Sequence, residues 1–244
     1  MKFYLEETEQ VLKDVKSFEN GLSSSEAKKR LEENGKNKLK EAEKEGLFKK
    51  FIGSLADPMI IMLLVAAAIQ AVVAVIESGG KPEIRDFADV LVILVVVIIN
   101  TIMGLVQESK AEAAMDALMQ MTAATSKVLR DGEVAVLKSE DIVVGDVILL
   151  EAGDAVPADC RLLESHSIKA EEAALTGESV PVSKMIDVLY LKDTSKDVAL
   201  GDRKNMLYSG STIVYGRGKA VVTGTGMDTE MGKIADALSE AEDE

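Results

Sequence analysis

The sequence predicts a membrane-anchored protein built from a transmembrane α-helical hairpin and a β-rich soluble domain that amino-terminal helices complete. Two apolar runs, from about Met59 to Ile76 and from about Phe87 to Val106, predict the hairpin, because roughly 20 such residues cross the hydrocarbon core of a bilayer. Short β-prone segments separated by turns follow Thr122 and favour a sandwich or jelly-roll-like fold. We therefore expect a multi-domain membrane protein.

The composition is that of a membrane protein with an acidic soluble part. Of the 244 residues, 47% are hydrophobic, and the net charge is -14. A solvated acidic surface accounts for this charge, which argues against nucleic-acid binding because such binding needs a basic footprint. Cys160 is the single cysteine and cannot form an intramolecular disulfide. Residues Met1 to Glu7 lack the apolar core of a signal peptide.

An amino-terminal helix is predicted to begin just after Leu22. Ser23 is the expected N-cap, Glu26 would close a capping box, and Leu22 can pack on Ala27. Asn34-Gly35 supplies the end of this helix. Taken alone, the segment is also consistent with an ordinary charged helical hairpin.

Residues 47–55 predict an amphipathic helix that lies at a membrane surface. Lys49 and Lys50 occupy its polar face. Asp57-Pro58 then interrupts the chain, since the residue before proline avoids helical angles while proline suits a first helical turn. The apolar face comprises Leu47, Phe48, Phe51, Ile52 and Leu55.

The two apolar runs are joined by a turn-rich segment, Glu77 to Pro82. The connection between the runs carries only Lys81 and Arg85, whereas six lysines lie between residues 36 and 50, shortly before the first run, so the positive-inside rule puts both polar flanks in the cytoplasm. A hairpin buried in a globular core is the alternative. The six lysines are Lys36, Lys38, Lys40, Lys44, Lys49 and Lys50.

Gln70 and Asn100 are polar residues inside the two apolar runs. Either side chain could in principle bind an ion. Because neither carries a charge, we favour hydrogen bonds between the two helices.

The second helix is predicted to continue beyond the membrane through residues 107–121. Neither proline nor glycine interrupts this segment, and Glu108, Glu112 and Asp116 share one face. A helix from Phe87 to Met121 would be about 50 Å long at 1.5 Å per residue, of which about 30 Å lies in lipid. The protruding rod can transmit the rotation of a soluble domain to the membrane.

Strand candidates and turns fill the region after residue 122. Asp131-Gly132, between two alternating segments, is a strong hairpin signal. A closing helix is expected from Asp228 to Leu238, followed by an acidic tail at 239–244. The candidate strands are Lys127–Arg130, Val134–Leu137, Val143–Leu150, Asp159–Glu164, Met206–Ser209 and Lys219–Gly224.

The segment from Leu175 to Pro181 predicts an exposed loop. Gly177 permits backbone angles that other residues avoid, and Thr176 and Ser179 can hold the loop by local hydrogen bonds. Glu178 is then free to point outward. Four residues of this kind are also typical of an ordinary capped turn, so the motif alone decides little.

Other motifs accompany this loop, and in order from about Gly21 to Ala235 they resemble the actuator domain and amino-terminal region of type II P-type cation-transporting ATPases. The motifs are Gly145-Asp146-Val147, Gly153 to Asp159, the loop itself, and Asn205 to Ser211. The resemblance implies an amino-terminal segment at 1–45, an interfacial helix with two transmembrane helices at 46–106, a cytoplasmic stalk at 107–121, and an actuator domain with a distorted jelly-roll fold at 122–238.

In the resembled family, ATP phosphorylates an aspartate of a separate domain, and the actuator loop later swings over the aspartyl phosphate. On this pattern Glu178 matches the catalytic glutamate that positions and polarises the attacking water. Thr176 and Gly177 would form the close-approach surface, and Ser179 completes the motif. A carboxylate suits the role because in-line hydrolysis needs an acceptor within hydrogen-bond reach of the water. The chain alone is expected to bind no cofactor, while the whole pump would use ATP and Mg2+.

Several parts of the family pattern are missing from this sequence: the Asp-Lys-Thr-Gly-Thr phosphorylation motif, the nucleotide domain and the later transmembrane helices. The expected partners are these parts of the same pump, the lipid bilayer and the transported cation. The resemblance of Asn205 to Ser211 and of Gly226 to Ile234 suggests that the cation is Ca2+. A type II pump for another cation and a non-catalytic membrane-anchored interaction protein are the alternatives.

Two other kinds of site fail on spacing or composition. The phosphate-loop pattern requires a glycine where Met227 lies and a hydroxyl residue where Ile234 lies. Cys160 and His166 are too few ligands for a structural zinc ion, and they make no credible nucleophilic triad.

Overall fold

The computed structural model describes residues 1–40, 46–79, 83–121, 124–190 and 197–242. The helices are α1 (Thr8–Asp14), α2 (Ser24–Asn34), α3 (Leu47–Leu55), α4 (Pro58–Glu77), α5 (Ala88–Met121), α6 (Ala173–Thr176) and α7 (Glu230–Glu242). The strands are β1 (Thr125–Arg130), β2 (Glu133–Lys138), β3 (Val147–Glu151), β4 (Asp159–Glu171), β5 (Val182–Ser183), β6 (Met206–Leu207) and β7 (Thr212–Gly224).

The chain divides into two compact units. We call Met1–Glu41 together with Ala123–Glu244 the β unit, and Ala42–Thr122 the helical unit. The predicted class, a helical hairpin plus a β-rich domain with amino-terminal helices, is confirmed.

The helical unit consists of α3, α4 and α5. The side chain of Asp57 caps α4 by accepting a hydrogen bond from the Met59 N–H at 2.8 Å, and Pro58 occupies the first turn, where its missing N–H costs nothing. Helix α5 runs for 34 residues without a break, as predicted. Both α4 and α5 are long and apolar enough to cross a membrane, and only 17% and 11% of their most apolar stretches are buried. A hairpin in a globular core would have most of this apolar surface buried, so the exposure argues against that alternative.

Small and branched side chains fill the contact between α4 and α5. The buried positions are Ile60, Ala67, Ala74, Val97 and Thr101. The hydrogen bonds predicted between these helices for Gln70 and Asn100 are absent from the described residues, since both side chains are exposed. The close approach of the helices at alanine leaves these longer polar side chains outside the contact.

A seven-stranded antiparallel sheet forms the β unit. Its order is β2-β1-β3-β7-β4-β5, with β6 paired to β4. The predicted hairpin joins β1 to β2 through Asp131 and Gly132, whose φ angles of 53° and 78° are those of a two-residue turn matched to strand twist. Strands β4 and β7 form the longest pairing, and β-bulges interrupt it at several points.

The amino-terminal helices pack on this sheet. Helix α1 buries Val11, Leu12 and Val15 against Val147 and Val221. Helix α2 begins as predicted: the Ser23 hydroxyl accepts a hydrogen bond from the Glu26 N–H at 3.2 Å, and Leu22 packs with Ala27 and Val143. The predicted capping box is incomplete, because the Glu26 carboxylate pairs instead with Arg30 at 2.9 Å. The largest core cluster is formed mainly by buried side chains of β1, β3, β4, β6 and β7.

Several predicted strand limits were wrong. Strand β3 begins at Val147 rather than Val143, because residues 143–146 form a turn in which the Val143 N–H donates to the Asp146 carboxylate at 2.9 Å. Strand β4 continues to Glu171 and β7 begins at Thr212, since bulges carry their pairing through exposed polar stretches. Helix α7 begins two residues later than predicted, at Glu230, and continues to Glu242, past the predicted end at Leu238 and into the predicted acidic tail.

Candidate functional site

The predicted loop lies between β4 and β5. One helical turn, α6, leads into Gly177, which has a left-handed φ of 74°. Residues 177–181 are all exposed. The sequence prediction of an exposed loop was therefore right for its tip, whereas the short helical turn that begins it was missed because four residues carry too little periodicity to register.

The base of the loop is held by hydrogen bonds around one carbonyl. The Glu172 carbonyl accepts from the Leu175 N–H at 2.9 Å, from the Thr176 N–H at 3.0 Å and from the Thr176 hydroxyl at 3.1 Å. The Thr176 Oγ1 in turn accepts from the Glu178 N–H at 3.3 Å. Thr176 therefore has the predicted role of fixing the loop locally. Ser179, for which the same role was predicted, makes no side-chain hydrogen bond with the residues that the structure describes.

Glu178 is the acid at the tip of this loop. Its side chain is exposed, and its carboxylate has no ion-pair or hydrogen-bond partner in the described part of the chain. Around Gly177, no heavy atom lies within 4 Å of the place where a Cβ would sit. The space beside the carboxylate is open, so another surface can approach the backbone here closely.

A buried ion pair spans the neck of the loop. Glu172 precedes α6, Lys184 follows β5, and the Lys184 Nζ lies 2.5 Å from the Glu172 Oε1, with both side chains fully buried. Burial raises the pKa of Glu172 and lowers that of Lys184, and the attraction between the two charges opposes both shifts. Burial thus disfavours the charged form of both groups, and the charge of each is stabilised by the other.

Sequence reasoning missed this pair. Glu172 follows Glu171 in an acidic doublet, and Lys184 is one of many lysines, so no local pattern distinguishes them from solvated surface residues. Only the tertiary fold, which buries the second member of the doublet while the first stays exposed, separates the two.

Beneath the loop, a polar and aromatic layer joins the amino-terminal turn to the segment after β5. The Arg161 guanidinium is buried and donates to the carbonyls of Phe3, Glu6 and Ile186, and burial lowers its pKa to about 10. The Asn205 side-chain amide donates to the Tyr4 and Asp187 carbonyls, each at 2.9 Å. Leu175 of α6 packs on the adjacent cluster of Tyr4, Met206 and Tyr208.

The other acidic residues of the family-like motifs have internal partners. Asp146 is fully buried and pairs with Arg130 at 2.6 Å. Asp159 accepts hydrogen bonds from the Ser209 N–H at 2.9 Å and from the Glu230 N–H at 2.7 Å, and its burial raises its pKa to about 6. Both carboxylates hold turns or helix ends in place, which leaves Glu178 as the motif acid that faces solvent.

Among the described residues, no group of three or more His, Cys, Asp and Glu side chains could hold a metal ion. Cys160 is buried, its thiol donates to the Ala158 carbonyl at 3.1 Å, and burial raises its pKa. The thiol is therefore unreactive, and its side chain serves to pack the core. What the site offers chemically is one solvent-facing carboxylate on a supported loop, which can accept a proton from water or orient it.

Comparison with known proteins gives two family matches. Residues 120–239 match the model of the P-type ATPase actuator domain, and residues 3–70 match that of the cation transporter/ATPase amino terminus.

Curated relatives match over almost the whole chain. A calcium-transporting ATPase of Listeria monocytogenes is 44% identical over 243 residues, which cover 99% of this chain and 26% of the relative. Calcium-transporting ATPase 1 of Lactococcus lactis is 43% identical, with coverage of 99% and 26%. A probable cation-transporting ATPase F of Mycobacterium tuberculosis is 40% identical, with coverage of 91% and 23%. The chain thus spans about a quarter of the length of the curated relatives it matches.

Proposed function

The chain belongs to the P-type cation-transporting ATPases, whose amino-terminal and actuator portions it carries, and from this premise we propose that it works in the dephosphorylation step of an ATP-driven calcium pump. The observation that supports this function best is the exposed, unpartnered carboxylate of Glu178 at the tip of a held loop. An acid that only stabilised the fold would have a partner, as Asp146 does.

The proposed reaction is hydrolysis of an aspartyl phosphate on another domain of the pump. A water oxygen attacks the phosphorus in line, the bond between phosphorus and the aspartate oxygen breaks, and inorganic phosphate and a free aspartate carboxylate result. Glu178 orients the water and accepts its proton during the attack. The carboxylate has no substrate of its own until the phosphorylated domain docks, so docking gates hydrolysis.

The neighbouring loop residues have supporting roles in this proposal. Gly177 lets the backbone approach the phosphoryl group, because no side chain occupies the space beside it. Thr176 fixes the turn through its two hydrogen bonds and so sets the direction of Glu178. Ser179 is exposed beside the carboxylate, where its hydroxyl can contact the docked domain. ATP and Mg2+ would act on the phosphorylation and nucleotide domains rather than on this chain.

Helices α4 and α5 then cross the lipid bilayer, with the β unit and the amino terminus in the cytoplasm. The exposed apolar surfaces of both helices support this arrangement. Helix α5 is about 50 Å long at 1.5 Å per residue, which exceeds the roughly 30 Å hydrocarbon core. Lys50 of α3 pairs with Glu108 at 3.1 Å and with Glu112, so α3 lies beside the polar end of α5, where a membrane-surface helix belongs.

Calcium is the proposed cargo because the Listeria monocytogenes and Lactococcus lactis relatives are calcium-transporting ATPases. The Mycobacterium tuberculosis relative is described only as cation-transporting, so another cation is the alternative within the family.

The deciding experiment replaces Glu178 by Gln in a pump that carries this chain in place of the matching segment of the Listeria monocytogenes protein. Phosphoenzyme formed from ATP should accumulate, with decay slowed on the order of 100-fold, since a positioned acid or base contributes about 10²–10⁴-fold. The control is Glu133→Gln, which changes another exposed acid of the β unit, at the start of β2.

Unchanged phosphoenzyme decay in Glu178→Gln would remove this residue from the mechanism. The β unit would then be better described as a non-catalytic interaction domain.

A further inference from the structure

We propose that the buried Glu172–Lys184 pair is a positioning device for the catalytic loop, which fixes where Glu178 is presented to the phosphorylated domain. This inference rests on the proposed function of Glu178. It assigns a role to two residues that touch neither water nor phosphate, so they act through the loop and are not themselves catalytic.

The geometry of the loop neck supports this role. Strands β4 and β5 pair at Lys169 with Ser183 and at Ala170 with Val182, and the Lys184 N–H donates to the Ile168 carbonyl at 2.9 Å. Beyond these backbone bonds, the two limbs diverge into α6 and the tip. The Glu172–Lys184 contact of 2.5 Å crosses this short ladder, because Glu172 lies two residues beyond its last pair on the side of the tip and Lys184 lies just after β5 on the opposite side.

The same carboxylate residue also anchors the helical turn. The Glu172 carbonyl receives the hydrogen bonds of Leu175 and Thr176, and Thr176 bonds the backbone of Glu178. A shift of Glu172 relative to Lys184 is therefore passed through Thr176 to the tip. Since residues 177–181 are exposed, the tip has little packing of its own to correct such a shift.

Stability does not explain why a charged pair occupies this place. Both side chains are fully buried, and beyond their contact with each other neither the Glu172 carboxylate nor the Lys184 ammonium has a hydrogen-bond partner among the described residues. Removing two charges from water costs more than this single contact returns, so an apolar pair of similar volume would be at least as stable. The ion pair instead fixes the position of Glu172 relative to Lys184. Two opposite charges have one favoured arrangement, whereas apolar side chains can pack in several.

The groups around Lys184 limit which other partner its ammonium could have. The Lys184 ammonium lies 5.8 Å from the centre of the buried Tyr208 ring, whose face also attracts a cation. Lys204 is the next cation that influences Lys184, and it repels rather than pairs. Glu172 is thus the partner that holds Lys184 at the neck.

The test is the neutral double variant Glu172→Met with Lys184→Met, which replaces both charges by apolar side chains of similar volume and leaves no buried polar group without a partner. In the pump used for Glu178→Gln, phosphoenzyme decay should slow about 10- to 100-fold, because a misplacement of about 1 Å can cost that much. Phosphoenzyme formation from ATP and the melting temperature should stay close to those of the parent. The charge-reversed pair Glu172→Lys with Lys184→Glu should restore most of the decay rate.

A matched control exists on the same sheet. Lys127 of β1 and Glu151 of β3 form an exposed ion pair, so Lys127→Met with Glu151→Met removes the same two charges on strands that do not form the loop neck. This control should leave decay unchanged. Hydrogen exchange on the chain itself gives a second measurement: amides of residues 173–183 should exchange roughly ten-fold faster in the neutral variant, while the rest of the β unit keeps its protection.

Each contrary result has a definite meaning. Parent-like decay and exchange in the neutral variant would overturn the positioning role, and so would a large fall in melting temperature, which would make the pair a stability element. If Glu178→Gln in the same pump leaves decay unchanged, the proposed function fails instead. If Glu178→Gln is slow and the neutral pair is not, only the positioning inference fails.

Discussion

The sheet of the β unit and the loop that projects from it differ in how their acidic side chains are used. In the sheet and the turn that precedes β3, Asp159 and Asp146 are buried, and each has partners that fix a turn or a helix end. At the loop tip, Glu178 is exposed and has no partner among the described residues. All three acids belong to motifs that resemble one family, so motif membership does not separate acids that stabilise the fold from one that is free to meet another surface. Burial and the presence of a partner make this distinction.

The largest expected effect comes from Asp146. Replacing it by Ala leaves the Arg130 guanidinium, whose side chain is only 14% exposed, without its partner. The free energy of unfolding should fall by about 3–5 kcal/mol, as when one member of a buried pair is removed. Thermal or denaturant unfolding of the chain in detergent measures this loss. Glu178→Ala is the matched comparison and should leave the unfolding midpoint in place; an equal loss in both variants would break the distinction.

Next in size is the pH dependence that Asp159 produces. Its pKa is raised from about 3.9 in the unfolded chain to about 6 in the fold. The folded state therefore binds more protons between pH 4 and pH 6, and its ionisation above pH 6 costs about 3 kcal/mol of stability. Relative to Asp159→Asn, the parent should gain stability as the pH falls from 7 to 4.

Unfolding free energies of the parent and of Asp159→Asn across this pH range give the comparison directly. Other carboxylates contribute to both proteins and cancel in the difference. A difference that stays constant with pH would show that Asp159 is not the buried acid we describe.

A smaller effect is expected at Gly177. Its left-handed φ of 74° strains any residue with a Cβ, yet no atom lies within 4 Å of that position. Gly177→Ala should therefore cost about 1–2 kcal/mol from backbone strain alone, while slowing phosphoenzyme decay because the docked surface can no longer approach as closely. Unfolding and decay measured on one preparation test both effects. A stability loss with parent-like decay would place the phosphoryl group elsewhere.

The smallest expected effect is that of Thr176→Val, which removes the hydroxyl that bonds Glu172 and Glu178. Stability should fall by about 0.5–1.5 kcal/mol, the usual net worth of a hydrogen bond. Thr176→Ser keeps the hydroxyl and serves as the control. If valine and serine behave alike in both unfolding and decay, the hydroxyl does not set the direction of Glu178.

The structural features that the sequence predicted well are those that residues close together in the chain determine. The limits of α3, the start of α4 at Asp57-Pro58, the unbroken α5 and the Asp131-Gly132 hairpin all depend on local apolar periodicity, on proline or on turn residues. The exposed tip of the loop belongs to the same class, because glycine and proline mark it directly.

Features that depend on distant partners were not predictable in this way. The bulged pairing that extends β4 and β7 is set across strands about 50 residues apart, and the polar residues along it gave no strand pattern. The burial of Glu172 follows from the fold around it and not from its neighbours. Gln70 and Asn100 were expected between two helices because they are polar, but the positions that face the contact are set by helical phase.

The hydrogen bonds from Arg161 to the carbonyls of Phe3 and Glu6 have a practical consequence for preparing this protein. Tyr4, in the first turn of the chain, is buried in the β unit, although more than a hundred residues separate it from Met206 and Tyr208, against which it packs. A fragment for crystallisation or spectroscopy should therefore keep residues 1–40 and join them to residues 124–242 through a linker. An excised piece that began at β1 would expose the groove that the amino-terminal turn now fills and would be prone to aggregate.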